Sequence, residues 1–249
     1  MVARLPGQAF TLSSPHVSCV YCITAASSML KIIFAFLPCA PLRKSRRGRK
    51  VARAPNTRYL AKRTPAASLM IETSRLILRP WEDSDIAEFI RVTNTPAVME
   101  FLGGVQTPEA MRESCMRAFA SQEKNGLSFW IVERQRDLAL LGFCGLKVGS
   151  AGPITGEIEI GWRLREDAWG QGYAREAAIA TLEWAWRNLA CSRVVAVTVR
   201  ANTRSWGLME RLGMQRRRDM DFDHPDIPEG SPIRAHITYE IGRPTCAEP

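Results

Sequence analysis

Trp169-Gly170-Gln171-Gly172-Tyr173-Ala174-Arg175-Glu176 is the stretch on which the fold turns. It follows an alternating run, Glu157-Ile158-Glu159-Ile160-Gly161-Trp162-Arg163-Leu164, and opens an amphipathic helical pattern. A glycine has no Cβ, so the backbone can turn sharply there and approach a ligand closely. The first-turn N–H groups of a helix lack internal partners, and the helix dipole adds partial positive charge. Together these suit phosphate. The segment predicts a pyrophosphate-bearing ligand.

Two common phosphate binders are excluded. A dinucleotide fingerprint needs G-x-G-x-x-G and an acidic residue about 20 positions on. Arg175 occupies the third glycine position, and Ser192 and Arg193 stand where the acid belongs. A central parallel strand is also apolar on both faces, whereas residues 157–164 alternate. No G-x-x-x-x-G-K-[ST] occurs. The two glycines alone fit an ordinary turn before a helix equally well.

Residues further on narrow the choice. Asn202-Thr203-Arg204-Ser205 precedes Leu208-Met209-Glu210-Arg211-Leu212-Gly213-Met214, the pattern of strand, cap, short helix, terminal glycine and strand. In this order and spacing the chain resembles the GNAT superfamily of acyl-CoA-dependent N-acetyltransferases over roughly residues 70–243. The family's phosphate loop, [Q/R]-x-x-G-x-[G/A], falls on Trp169, Gly172 and Ala174. Trp169 departs from Gln/Arg, but W-G-[QKR]-G-Y-A is the usual form in the branch that acetylates N-terminal alanine or serine of ribosomal proteins. Glu72-Thr73-Ser74-Arg75-Leu76-Ile77-Leu78-Arg79-Pro80-Trp81 and Glu159-Ile160-Gly161-Trp162 look like that branch too.

The resemblance implies an α+β fold with a mixed, mostly antiparallel sheet, helices on both faces and splayed central strands. Acetyl-CoA would be the co-substrate, with its pantetheine arm between residues 157–164 and 194–199. Cofactor contacts would fall on Gly170, Gln171, Gly172, Tyr173, Ala174, Arg175, Asn202 and Ser205. Tyr173 fits packing better than reaction. Taken alone, Asn202 and Ser205 read as a helix cap and a solvated serine.

The acceptor would be a primary amine, on a protein N-terminus or a small molecule. An α-amine with a pKa of ~8 is neutral in roughly a tenth of molecules at neutral pH, and a lysine amine far less often. A base is therefore needed, and a carboxylate acting through water can serve. Glu157 and Glu159 share one face of their strand, opposite Ile158, Ile160, Trp162 and Leu164. Glu159 is the candidate base; the competing reading is a salt-bridged surface carboxylate, with Arg163 as its partner. The family's frequent acid, a tyrosine seven positions after the asparagine, is Met209 here. That leaves Ser205 as donor to the thiolate, or unaided departure. A non-catalytic CoA-binding protein of the same fold is the alternative.

Charge divides the chain. Residues 1–69 hold 12 of the 34 Lys and Arg and none of the 25 Asp and Glu, so residues 70–249 carry a formal net of −3. The basic extension of residues 1–69 has no period long enough for a core, includes Arg43-Lys44-Ser45-Arg46-Arg47-Gly48-Arg49-Lys50, and is expected to be a solvated, disordered segment. Membrane anchor, secretory signal, organellar transit peptide and a true start at Met70 all remain open for it. The acetyltransferase domain is placed at 70–249, in the cytoplasm, as monomer or homodimer, with neither nucleic acid nor membrane as partner. Cys19-Val20-Tyr21-Cys22 lacks a second pair, and Cys115, Cys144, Cys191 and Cys246 are widely spaced, as in a protein with reduced thiols. No metal is expected. Asp219, Asp221, Asp223 and Asp226 suggest an acidic lip that attracts a cationic amine.

Strands are expected over residues 75–81, 129–133, 140–148, 157–164, 194–199, 214–222 and 233–241. Helices are expected from about 84 to 94, 107 to 124, 174 to 189 and 203 to 212. Ala174, Ala177, Ala178, Thr181, Leu182, Ala185 and Leu189 form one apolar helix face.

Overall fold

The computed structural model describes residues 70–127 and 129–244. The expectations for residues 1–69 and for Cys246 lie outside the described residues. In chain order the elements are β1 (Ile71–Glu72), β2 (Leu76–Arg79), α1 (Asp85–Thr93), α2 (Pro96–Met99), α3 (Pro108–Asn125), β3 (Phe129–Arg134), β4 (Ala139–Val148) and β5 (Ile158–Leu164). They continue with α4 (Tyr173–Asn188), β6 (Arg193–Val199), α5 (Thr203–Arg211), β7 (Gln215–Arg216), β8 (Phe222–Asp223) and β9 (Ala235–Gly242). The sheet runs β1-β2-β3-β4-β5-β6-β9-β7, with β8 also on β9. Every pairing is antiparallel except β5 with β6.

That one parallel pairing positions the site. Its register contains only Glu159↔Val195. By contrast, β4 pairs with β5 from Gly142↔Leu164 to Val148↔Ile158. Beyond Glu159 the β6-facing edge of β5 therefore lacks a strand partner, and a fork opens. At ~3.3 Å per residue, Glu159 to Leu164 spans about 16 Å of exposed edge.

Two helical layers cover the sheet. Ala177, Ala178, Leu182 and Ala185 of α4 sit in one buried cluster with Leu146, Ile158, Ile160, Val194 and Ala196. The alanines let the helix lie close to the strands, as the apolar face predicted from the sequence requires. On the opposite face, Ile86, Phe89 and Val92 of α1 and Met111 and Cys115 of α3 pack with Trp81, Ile131 and Leu140. The two sheet faces follow from the alternation in β5. Ile158, Ile160 and Leu164 belong to the α4 side, so Glu159, Gly161 and Arg163 look toward α1 and α3. One glycine is compulsory here: a Cβ on Gly142 would come within 2.0 Å of the Arg163 carbonyl oxygen.

Besides the short strand β1, which the sequence expectation lacks, two details differ from that expectation. Residues 214–222 do not form one strand. β7 and β8 are two residues each, with a 3-10 turn at Arg218–Met220 between them. Arg216 pairs with Asp221 and Arg217 with Asp219, and these short-range pairs fold the segment back on itself. The second difference is α2, a single turn that starts at Pro96 behind Thr95, whose hydroxyl accepts from Val98 N–H at 3.4 Å. Pro at a first helical position is a start signal that was available in the sequence.

Candidate active site

The candidate cofactor side is built where β5 passes into α4. Gly170 and Gly172 adopt φ of 72° and 81°, and Gly172 is the residue that precedes the helix. Among the described residues, no carbonyl or side-chain oxygen accepts from the backbone N–H groups of residues 170–175. The first such donor is Glu176 N–H, bonded to Gly172 O at 3.0 Å. The loop is braced from outside. Trp169 Nε1 donates to Leu164 O at 2.9 Å, and Gln171 Nε2 to Asp167 O at 2.6 Å. Arg75 donates to Gln171 O at 3.0 Å and pairs with Glu176 at 2.6 Å. Glu176 also accepts from Thr73 Oγ1 at 2.6 Å, Ser74 Oγ at 3.1 Å and Arg75 N–H at 2.9 Å. Burial tends to raise the Glu176 carboxyl pKa, but these donors hold it below the ordinary value. Sequence reasoning singled out the Glu72–Trp81 stretch without seeing that Thr73-Ser74-Arg75 clamps this loop.

The remaining cofactor candidates fall around the same gap. Tyr173 is 5% exposed, under the Arg75 guanidinium 4.6 Å from its ring centre, so its side chain packs while its amide stays at the helix start. Ala174 is half-buried against the core and Arg175 is exposed. Asn202 caps α5, its side-chain oxygen accepting from Ser205 N–H at 3.2 Å. The cap occupies that oxygen and leaves the amide nitrogen and the Ser205 hydroxyl without partners among the described residues. Arg204 of α5 lies 4.7 Å from the Trp169 ring centre, which brings the start of α5 beside the glycine loop.

Glu159 sits at the fork. It is 7% exposed and pairs with Lys147, its cross-strand neighbour, at 3.2 Å. Burial pushes its carboxyl pKa up, and the Lys147 cation works against that shift. The alternative partner named from the sequence is not used: Arg163 does not pair with Glu159. The Arg163 guanidinium instead lies 5.3 and 5.9 Å from the ring centres of Phe143 and Phe89. Glu157 pairs with Arg193 at 2.7 Å, apart from the fork. Met209 is buried core, so no phenol reaches the gap from that position.

The acidic lip is not borne out. Asp219 pairs with Arg217, Asp221 with Arg216 and Asp223 with Arg234. Asp221 also accepts from Thr238 N–H at 3.0 Å. Three of the four negative charges thus have arginine partners, and the attraction expected from counting aspartates is neutralised locally. Cys115, Cys144 and Cys191 are free and buried; burial pushes the Cys144 thiol pKa up to about 12.

Residues 75–215 match the acetyltransferase (GNAT) domain family. The chain belongs to that family. Similar proteins include YkkB, an uncharacterized protein of Bacillus subtilis, 32% identical over 149 residues covering 59% of this chain and 86% of YkkB. They also include YnaD, an uncharacterized N-acetyltransferase of Bacillus subtilis, 29% identical over 174 residues covering 69% of this chain and 95% of YnaD. A GNAT-family acetyltransferase structure from Bacillus anthracis matches with a TM-score of 0.58 and 26% identity, over 70% of this chain and 99% of the other. Family and relatives together make the chain an N-acetyltransferase, which favours the enzyme over the non-catalytic binder. Among the described residues, no helix is long and apolar enough to cross a membrane.

Proposed function

We propose that the chain moves an acetyl group from acetyl-CoA to a primary amine by direct attack, in one complex, with Glu159 as the base. The observation that carries this reading is the fork itself. A strand edge of about 16 Å starts at a buried carboxylate, and Trp169, bonded back to Leu164 at its far end, leads into the glycine loop and the helix start. An extended arm with a diphosphate at one end and a thioester at the other fits that span.

The chain's own groups divide the work. The amides of residues 170–175 hold the diphosphate, and the Asn202 amide and Ser205 hydroxyl flank the arm. Glu159, directly or through one water, takes a proton from the acceptor ammonium. The neutral nitrogen then bonds to the thioester carbon as the carbon–sulfur bond breaks, and the proton shed by the acylated nitrogen goes to the departing thiolate, directly or relayed through the Ser205 hydroxyl. Burial pushes the Glu159 pKa up, and the Lys147 cation opposes that shift, favouring the charged form that can accept.

A thiol-release assay over an amine panel tests the reading. Glu159→Gln is expected to lower kcat by about 10²–10⁴ with acetyl-CoA affinity retained. Undiminished turnover in that variant would remove Glu159 from the mechanism.

A further inference from the structure

On the α1/α3 side of the sheet, beside the fork, lies a cavity of about 430 Å³. Its walls are unusual in charge. Trp81, Phe89, Met111, Phe129 and Phe143 supply an aromatic and apolar body, and Arg117, Lys147 and Arg163 are its charged lining residues. Among the described lining residues there is no carboxylate.

Arg163 is the group that demands an explanation. It enters from the strand that bears Glu159, four residues on and on the same face. Its Nε is fully buried without a hydrogen-bond partner. Beyond the two ring faces, its one hydrogen-bond contact among the described residues is Nη1 to the Met111 sulfur at 4.0 Å, a weak acceptor, with the Cys115 thiol close enough to interact electrostatically. Burial lowers its pKa to about 10, so at neutral pH it remains a cation. A buried charge left without a counter-ion is costly, and folded proteins normally pair it. Guanidinium presents a fork of donors matched to a carboxylate.

We propose that the acceptor is a small amine that also carries a carboxylate on an apolar or aromatic body, and that Arg163 receives the carboxylate. This rests on the acetyl-transfer reading above. The acceptor's ring or chain lies among Phe89, Phe129 and Phe143, its carboxylate meets Arg163, and its amine points to the Glu159 end, where Lys147 closes the wall. Arg163 acts here as a specificity determinant, since it touches the acceptor but not the bonds that change. A purely cationic acceptor such as a polyamine would meet three basic groups.

The test uses paired acceptors: phenylalanine and 3-(aminomethyl)benzoate, each against its own carboxamide, with the full chain and acetyl-CoA. The wild type is expected to favour at least one carboxylate over its carboxamide by ~30-fold or more in kcat/KM, the scale of a buried charge pair. Arg163→Met is expected to reduce that preference to near unity while acetyl-CoA binding by calorimetry is unchanged. Because Arg163→Met removes an unpaired buried cation, it should fold at least as well. As a check independent of the variant, the carboxylate should raise the wild-type Tm and the carboxamide should not. Equal or better use of the carboxamides, or a preference that survives Arg163→Met, overturns the inference and leaves acetyl transfer standing. Failure to bind acetyl-CoA at all sinks the underlying reading instead.

Discussion

The two sides of β5 are built in opposite ways. On the cofactor side, the glycine loop and the start of α4 come from consecutive residues 169–176, and the main recognition groups are backbone amides. On the proposed acceptor side, the cavity draws Trp81, Phe89, Met111, Phe129, Phe143 and Arg163 from six separate stretches, and recognition would fall to side chains. The difference teaches where each kind of specificity resides. A ligand common to a whole family can be held by backbone geometry that tolerates sequence change. An acceptor particular to one member must be selected by side chains, and a single residue such as Arg163 can set it.

The sharpest break between the two sides is the proposed base Glu159, which on this reading serves the acceptor without touching the diphosphate. Its replacement by Gln should reduce turnover by two to four orders of magnitude and leave the acetyl-CoA dissociation constant within about twofold, measured by thiol release and calorimetry on one preparation. The pH profile sharpens the same point. A base acts in its charged form, and burial raises the Glu159 pKa above the ordinary Glu value near 4.3. Activity is therefore lost as pH falls through a limb above that value. Lys147→Met removes the cation that opposes the shift and should move the limb of kcat to still higher pH. A limb that stays in place would mean that Glu159 does not titrate in the rate.

Smaller effects are expected from the braces. Glu176→Gln strips the charge that gathers Thr73, Ser74 and Arg75 against the loop. Arg75 is 45% exposed, so screening keeps the consequence modest. Acetyl-CoA should bind about three- to tenfold more weakly, with amine KM unaffected; a change confined to the amine would place the clamp on the wrong side. The smallest kinetic effect is expected from Asp221→Asn. That residue is engaged by Arg216 and Thr238, so Tm should drop by a few degrees and amine KM should not move. A raised KM with unchanged Tm would restore the acidic-lip idea.

What the sequence disclosed follows the same division. The glycine loop, the α4 face with Ala177, Ala178 and Ala185, and the Phe129–Val148 hairpin are encoded by short spacings, and the structure has all three. Glu159 on the face away from Ile158 and Ile160 follows from a period of two. Its partner does not: Lys147↔Glu159 is fixed by cross-strand register, which a single strand's alternation cannot give. The acidic lip failed for a related reason. Counting aspartates between 219 and 226 ignores Arg216, Arg217 and Arg234, which the turns and β9 bring to them. The cavity around Arg163 was illegible because Trp81 and Arg163 are far apart in sequence and meet only after the sheet has formed.

Equilibrium titration of acetyl-CoA into the wild type and Gly172→Val tests the central claim most directly. Gly172 holds a positive φ at the head of α4, where a β-branched residue is strained and a Cβ would meet Arg75 Nη2 at 3.4 Å; the cost to folding is about 1–2 kcal/mol, small enough to leave a folded protein. The diphosphate cradle predicts at least a 100-fold loss of affinity in the folded variant. Equal affinity in the two proteins would contradict it.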